Sequence, residues 1–221
     1  MTTSPGFLII AIDGGAASGK STTAKALADR LDLMHVDTGS FYRSICAAIL
    51  DQEIEANDPK LADVLAALSL ETQMEGRLGK LRLNGVVPEE NILRSEKVNA
   101  NVSAFAAQPV VRNKLLDYQR DQAKVAEDNG FAGLVMEGRD IGSVIFPDAP
   151  VRVYLFADPS VRVDRRAAQG ESDAIEARDA TDSSRATAPL TCPDGATSID
   201  TGSSSVEEVV DQIVLLCQSI Q

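Results

Sequence analysis

Apolar and polar residues alternate along the chain in blocks that predict an α/β fold. Nearly continuous apolar runs at 7–12, 131–136 and 151–156 are typical of strands buried on both faces of a parallel sheet. Shorter runs at 34–39 and 196–200 predict two further strands. Because apolar residues recur at helical spacing between these runs, we expect helices to pack against the sheet.

Helical periodicity is clearest at 40–50, 58–68 and 109–126, where the apolar residues form one stripe. Ser205 and Glu208 have the spacing of a capping box and predict the start of a last helix. At 221 residues, the chain is long enough for one α/β core that carries small insertions.

The segment 70–87 departs from this alternation of strands and helices. Its apolar runs at 70–74, 78–83 and 86–87 are broken by Glu75-Gly76 and Asn84-Gly85, which are turn signals. This pattern predicts a small antiparallel meander, which we interpret as an insertion attached to the core.

The segment 161–185 is rich in Arg, Asp and Ala and contains few large apolar residues. It predicts an exposed, mobile helical hairpin, with a tight turn at 170–173.

The stretch between the first strand and the first helix has the spacing G-x-x-x-x-G-K-S. Small residues let successive backbone N–H groups point at one anion, and the following helix N-terminus favours phosphate. We expect Lys20 to reach the β- and γ-phosphates of a nucleotide and Ser21 to bind Mg²⁺. The residues predicted to hold the phosphates are Gly14, Gly15, Ala16, Ala17, Ser18, Gly19, Lys20, Ser21 and Thr22.

Composition and charge restrict the function classes. With 44% hydrophobic and 24% charged residues, the chain has no apolar run long enough to span a bilayer. A formal net charge of −12 argues against a nucleic-acid partner. The first residues lack the basic start of a secretory signal, which favours a cytoplasmic location. Cys46, Cys192 and Cys217 match no zinc spacing and predict no disulfide framework.

Basic residues after Lys124 are all arginine. Arginine pairs bidentately with phosphate, so these residues either surround phosphates or form surface salt bridges. Arg43 lies in the first turn of a predicted helix, where a cation is unfavourable, which suggests a nearby anion. His35, the only histidine, is expected to be packed rather than catalytic, because no triad or metal partner is near it in sequence.

The chain contains four motifs in a fixed order: A-I-D-G-G-A-A-S-G-K-S-T at 11–22, D-T-G-S-F-Y-R at 37–43, E-G-R-D-I-G-S-V-I-F-P-D-A at 137–149 and R-D-x-x-D-S-S-R-x-x-A-P-L at 178–190. Together they resemble bacterial-type cytidylate kinases, a family of P-loop nucleoside monophosphate kinases. The chain resembles this family nearly from end to end.

The resemblance implies an α/β P-loop NTPase core with a five-stranded parallel sheet flanked by helices. It also implies a small antiparallel-β and helical insertion that binds the nucleoside monophosphate, at about 61–99, and a short helical lid at about 161–185. The core then comprises about 1–60, 100–160 and 186–221.

The implied activity is transfer of the γ-phosphoryl of ATP to CMP or dCMP with Mg²⁺, in pyrimidine nucleotide metabolism. The implied enzyme is a monomer with small-molecule substrates and neither nucleic acid nor membrane as a partner. Ser103, Arg112 and Asp140 match positions that contact cytosine. The other matched acceptor positions are Thr38, Tyr42, Arg43, Arg139, Arg178, Asp182 and Arg185. The residues implied in catalysis are Lys20, Arg139, Arg162 and Arg166, and Glu137 is a weaker candidate for orienting a Mg²⁺-bound water.

Two departures from the family pattern affect the loop and the lid. Gly15 stands where the family usually has proline, which loosens the loop but keeps it small. Only residues 167–177 separate Arg166 from Arg178, so the lid is expected to be short.

Three alternatives remain at this point. One is a kinase of another acceptor, such as UMP, AMP or a shikimate-like compound. Another is a GTP-dependent switch, although the nearest match to N-K-x-D, at 113–116, lacks the Asp. The last is a phosphate-loop protein that has lost its activity because of the short lid.

Overall fold

The computed structural model describes residues 6–168 and 175–219. In these residues, seven strands form one sheet in the order β3-β4-β2-β5-β1-β6-β7. Six of them, from β4 to β7 in that order, run parallel to one another, and β3 pairs antiparallel with β4. The strands are β1 (Leu8–Gly14), β2 (Leu33–Asp37), β3 (Leu70–Glu75), β4 (Leu78–Leu83), β5 (Gly133–Gly138), β6 (Val151–Phe156) and β7 (Thr197–Asp200).

Helices cover both faces of the sheet. One face packs on α2, α3, α5 and α6 through a core that includes Phe41, Phe105 and Leu115. The other face packs on α1 and α9 through Leu27 and Ile213. The helices are α1 (Lys20–Leu31), α2 (Thr38–Leu50), α3 (Leu61–Ala67), α4 (Glu90–Leu93), α5 (Glu96–Ala106), α6 (Pro109–Asp128), α7 (Pro159–Ala168), α8 (Ile175–Ser184) and α9 (Val206–Gln218).

Strand order brings three strand ends together at one edge of the sheet. β5 lies between β1 and β2, and the register pairs Asp13 with Gly138 and Asp37 with Glu137. Because β1, β2 and β5 are parallel, the loops that follow them leave from the same edge, where α/β proteins bind ligands.

The structure corrects the expectation of a five-stranded sheet. The runs at 70–74 and 78–83 do form an antiparallel hairpin, but β4 also joins the main sheet beside β2. The His35 backbone N–H donates to the Arg77 carbonyl oxygen at 2.8 Å. This pairing covers backbone groups that an edge strand would leave exposed. Residues 86–87 form no third strand; Val86 makes only an isolated bridge to Leu83.

The outcome differs among the other predicted elements. The capping box is confirmed, since Ser205 and Glu208 cap α9 reciprocally. The helix expected at 58–68 is shorter and begins at Leu61. Residues 161–168 and 175–184 are helical, whereas the turn expected at 170–173 lies outside the described residues. Throughout the described ranges, no helix has both the length and the hydropathy that crossing a membrane requires.

Candidate functional site

The phosphate loop joins β1 to α1 and needs glycine at two positions. Gly14 has a φ of +153°, and a Cβ there would lie 2.2 Å from the Leu155 carbonyl oxygen. Gly19 has a φ of +85°. Both conformations disfavour any side chain. Since α1 begins directly after Gly19, the loop lies at the positive end of that helix, which favours a bound anion.

Lys20 lies folded into this loop. Its Nζ donates to the Gly15 carbonyl oxygen at 2.6 Å and lies 3.5 Å from Ser18 Oγ. Burial, followed by the positive charge of Arg139, lowers the pKa of Lys20 to about 7. A polyanion bound at this loop would favour the charged ammonium, because an opposite charge opposes both effects.

Oxygen ligands gather around Ser21 at the start of α1. Ser21 Oγ donates to Glu137 Oε2 at 2.9 Å, and His35 Nε2 lies 3.0 Å from Glu137 Oε1. Burial, followed by the neighbouring Glu137 carboxylate, raises the pKa of Asp37. Two carboxylates and a hydroxyl are the oxygen ligands that Mg²⁺ prefers, so the residues present fit that ion.

A cavity of about 730 Å³ opens beside the loop. Thr201 forms part of its wall and donates from Oγ1 to the Ser18 carbonyl oxygen at 3.0 Å. Arg165 in turn donates to Thr201 Oγ1 and to its carbonyl oxygen. The predicted site residues that line this cavity are Ala17, Ser18, Gly19, Lys20, Ser21, Thr22 and Arg166.

Arg162 lies against the other side of the phosphate loop. It pairs with Asp179 and donates to the Ala16 carbonyl oxygen at 3.2 Å. Asp179 Oδ1 accepts from the Ala16 N–H at 2.9 Å. A Cβ on Gly15 would lie 2.6 Å from Asp179 Oδ2, so the absence of a side chain makes room for this pair.

A second cavity, of about 60 Å³, lies next to the end of β5. It is formed by residues from four separate segments of the chain. The predicted acceptor residues that line it are Thr38, Tyr42, Ser103, Arg139, Asp140, Arg178, Asp182 and Arg185.

Asp140 is held at this cavity by Arg112. The two side chains form a buried ion pair, each only 6% exposed. Arg112 also donates to the Ala106 carbonyl oxygen at 3.0 Å and lies 5.5 Å from the Tyr42 ring centroid. Burial, together with the nearby Asp140 carboxylate, raises the pKa of Tyr42 to about 12, so its hydroxyl stays protonated.

Asp182 joins two arginines of the same cavity. Arg139 Nε donates to Asp182 Oδ2 at 3.0 Å, and Arg185 lies 3.6 Å from Asp182 Oδ1. Arg185 also donates to the Ala188 carbonyl oxygen at 2.9 Å. The carboxylate fixes the direction of both guanidinium groups.

Arg43 is not among the residues that line this cavity. Its Nη1 donates to the Leu93 carbonyl oxygen at 3.0 Å and to Asn99 Oδ1 at 2.6 Å. Arg43 thus packs against α4 and α5, and its positive charge also favours the ionised form of Asp37. A role for Arg43 at the acceptor phosphate stays a prediction.

Comparison with known proteins identifies the family. The family model for cytidylate kinase matches residues 10–219. Curated cytidylate kinases from Chloroherpeton thalassium and Corynebacterium efficiens are 37% and 39% identical, covering 96% and 97% of this chain and 94% and 96% of their own. One from Geobacillus is 40% identical and covers 93% of this chain and 94% of its own. The chain belongs to the cytidylate kinase family.

TT1252 from Thermus thermophilus, a solved structure, resembles the chain with a TM-score of 0.51 and 15% identity, over 96% of this chain and 97% of that one. At this identity the likeness shows a shared fold alone. Family membership makes the protein a kinase, which is a phosphotransferase.

Several groups around the site of this cytidylate kinase family member were missed by reasoning from sequence. Asp13 directly precedes the phosphate loop, Asp179 and Thr201 hydrogen bond to the loop backbone, and Asp37 lies beside Ser21 and Glu137. His35 was expected to be merely packed, yet its ring contacts Glu137. The motifs at 11–22, 37–43 and 178–190 contain Asp13, Asp37 and Asp179, and Asp37 also ends a predicted strand. These were the available signals, because strand ends converge at the edge that binds ligands.

Asp13 connects the phosphate loop to the acceptor cavity. It is fully buried, and its two carboxylate oxygens accept from the Ile141 and Gly142 N–H groups, each at 2.7 Å. These groups directly follow Asp140, in a π-helical turn at Ile141–Ile145. Burial raises the pKa of Asp13 to about 6 despite both hydrogen bonds.

The raised pKa of Asp13 predicts a stability difference that depends on pH. The folded protein binds the Asp13 proton more tightly than the unfolded chain does. Protonation of Asp13 therefore stabilises the folded state increasingly as the pH falls through about 6. Relative to Asp13→Asn, the free energy of unfolding of the parent should increase by about 1 kcal/mol between pH 7 and pH 5.

Urea unfolding at both pH values measures this difference, with Asp148→Asn as a control for loss of an exposed carboxylate. A difference that stays constant, or that grows towards pH 7, contradicts the assignment.

Proposed function

We propose that the protein transfers the γ-phosphoryl of ATP to CMP or dCMP, giving ADP and CDP or dCDP. The observation that carries this proposal is the proximity of two cations from different cavities. Arg139 follows the end of β5 and Lys20 follows the end of the adjacent parallel strand β1, and the positive charge of Arg139 is close enough to lower the pKa of Lys20. Phosphoryl transfer between two polyanions requires fixed positive charge where they meet.

The donor side is the phosphate loop and the larger cavity. The loop N–H groups and Lys20 bind the ATP phosphates, and the nucleoside lies in the cavity of about 730 Å³. Ser21, Glu137 and Asp37 would hold Mg²⁺, which supplies charge neutralisation on the phosphates when bound.

The acceptor side recognises a cytosine base and its phosphate. Asp140 is a buried carboxylate, so it can accept from the cytosine amino group, whereas the carbonyl oxygen that uracil has at that position would be repelled. Arg112 keeps Asp140 oriented. Arg139 and Arg185 bind the acceptor phosphate, while Arg178 and Asp182 contact the ribose.

Orientation of the two substrates provides most of the catalysis. Holding the acceptor phosphate in line with the γ-phosphoryl removes the entropy cost of a collision between two separate molecules. Arg162 and Arg166 lie on α7, and we infer that they move over the transferred group with the lid and exclude water.

We also propose that residues at about 161–185 form a lid and that residues at about 61–99 form the insertion that binds the acceptor. We expect a cytoplasmic monomer without a nucleic-acid partner. The net charge of −12 supports the last point, because binding to nucleic acid depends on an excess of positive charge.

A panel of acceptors tests the proposed reaction. With ATP and Mg²⁺, CMP and dCMP should be phosphorylated with kcat/KM values at least tenfold above those for UMP, AMP and GMP. The readout is the diphosphate product, separated by ion-exchange chromatography. Preferential use of UMP or AMP would identify a kinase of another acceptor, and binding of ATP without any transfer would indicate an inactive phosphate-loop protein.

Asp140→Asn should relax the choice of base. Asparagine replaces one carboxylate oxygen by an NH2 group, which can donate to the carbonyl oxygen of uracil, and it loses the charge that pairs with Arg112. KM for CMP should therefore rise by about tenfold or more, and the ratio of kcat/KM for CMP to that for UMP should fall. Steady-state kinetics on both acceptors measure the change. Asp148→Asn is the matched control, and unchanged discrimination in Asp140→Asn would show that the base lies elsewhere.

Lys20→Met should affect the chemical step. Removing the ammonium takes away charge stabilisation that acts on the transferred phosphoryl, so kcat should fall by about 100-fold or more. Lys25→Met, on an exposed position of the same helix, should keep parental kcat. A kcat within a few-fold of the parent in Lys20→Met would rule out this role.

A further inference from the structure

A chain of hydrogen bonds runs from the core to the metal end of the phosphate loop. His35 Nε2 lies 3.0 Å from Glu137 Oε1, and Glu137 Oε2 accepts from Ser21 Oγ at 2.9 Å. The side chains of His35 and Glu137 are only 10% and 3% exposed. His35 is the only histidine of the chain.

The chemistry of these groups sets the direction of each hydrogen bond. An ionised carboxylate only accepts, so Glu137 takes one hydrogen from His35 Nε2 and another from the Ser21 hydroxyl. Ser21 has a single O–H hydrogen, and donating it to Glu137 leaves the hydroxyl lone pairs free. A Mg²⁺ ligand must offer a lone pair, so the hydrogen bond to Glu137 orients the Ser21 hydroxyl correctly for binding the metal.

Glu137 holds this orientation only if its other oxygen is restrained. His35 is well placed to do so, because its own backbone is fixed by the hydrogen bond to Arg77 and by pairing with Leu78. The imidazole therefore has a fixed position on β2, and the flexible carboxylate is held from both sides.

Space for a hydrated cation lies directly beside these groups. Ser21, His35, Asp37 and Glu137 line a cavity of about 180 Å³ together with residues of β4 and the cations Lys80 and Arg94. The cavity is polar at this end and large enough for several water molecules.

We propose that His35 is a positioning residue for the metal end of the phosphate loop, acting through Glu137 on Ser21. The proposal rests on the proposed function, since it concerns the metal that accompanies the nucleotide. His35 orients the carboxylate, the carboxylate orients the serine hydroxyl, and the metal affinity of the nucleotide complex follows from that orientation. Partners of this kind typically change metal affinity by about 10- to 100-fold when they are removed.

Three substitutions of His35 separate hydrogen bonding from packing. His35→Leu fills similar space without a donor. His35→Asn keeps an amide that is too short to reach Glu137, whereas His35→Gln carries an amide N–H group that extends about as far as Nε2. Met34→Leu, a buried change of similar volume on the same strand, is the matched control.

Mn²⁺ is the probe, and its affinity for the ADP complex is measured from the electron paramagnetic resonance signal of free Mn²⁺. We expect Kd for Mn²⁺ to rise about tenfold or more in His35→Leu and His35→Asn, and to return to within about threefold of the parent in His35→Gln. In activity assays, the half-saturating Mg²⁺ concentration should rise in parallel while KM for CMP stays unchanged.

Because Mn²⁺ binding needs no acceptor, this result stands or falls separately from the proposed CMP kinase activity. Thermal unfolding identifies any variant that does not fold, and either His35→Leu or His35→Asn then suffices. An unchanged Kd for Mn²⁺ in the folded variants overturns the proposal. It is also overturned if His35→Gln or Met34→Leu weakens Mn²⁺ binding as much as His35→Leu does.

Discussion

Charge that is buried at the carboxyl edge of β1, β5 and β2 constrains the rest of this structure. Lys20 and Arg139 bring two positive charges close together, while Asp37 and Glu137 bring two negative charges beside them. Buried charges without partners destabilise a fold by several kcal/mol, so their positions must be fixed by neighbours. The helices, the sheet register and the ion pairs of the site together hold these groups in place.

Local sequence was sufficient to predict the strands and helices of the parallel core. The apolar runs and the capping box describe interactions between residues close in the chain, and these are the interactions that periodicity detects. The position of the hairpin β3-β4 beside β2 was missed, because edge pairing depends on which backbone groups remain unpaired once the sheet has formed. Neither His35 nor Arg77 carries a sequence signal for the hydrogen bond between their backbones.

The residues of the candidate site also divide into those that local sequence predicts and those that it does not. The phosphate loop was predictable because its chemistry needs a contiguous spacing of glycines, Lys20 and Ser21. The acceptor residues come from four segments, and only the resemblance to a family grouped them. Arg43 belonged to that group by its motif, yet in the structure its guanidinium hydrogen bonds to Leu93 and Asn99. Asp13 and His35 have partners more than 100 residues away, which periodicity and short motifs do not reveal.

The buried carboxylate of Asp13 has a mechanical consequence for the two substrates. It begins the donor loop and, through two hydrogen bonds, holds the backbone that carries Asp140. The phosphate loop and the backbone that carries Asp140 are therefore joined directly by hydrogen bonds. In the reaction proposed above, a movement of α7 and α8 over the reacting groups would leave the distance between these two supports unchanged.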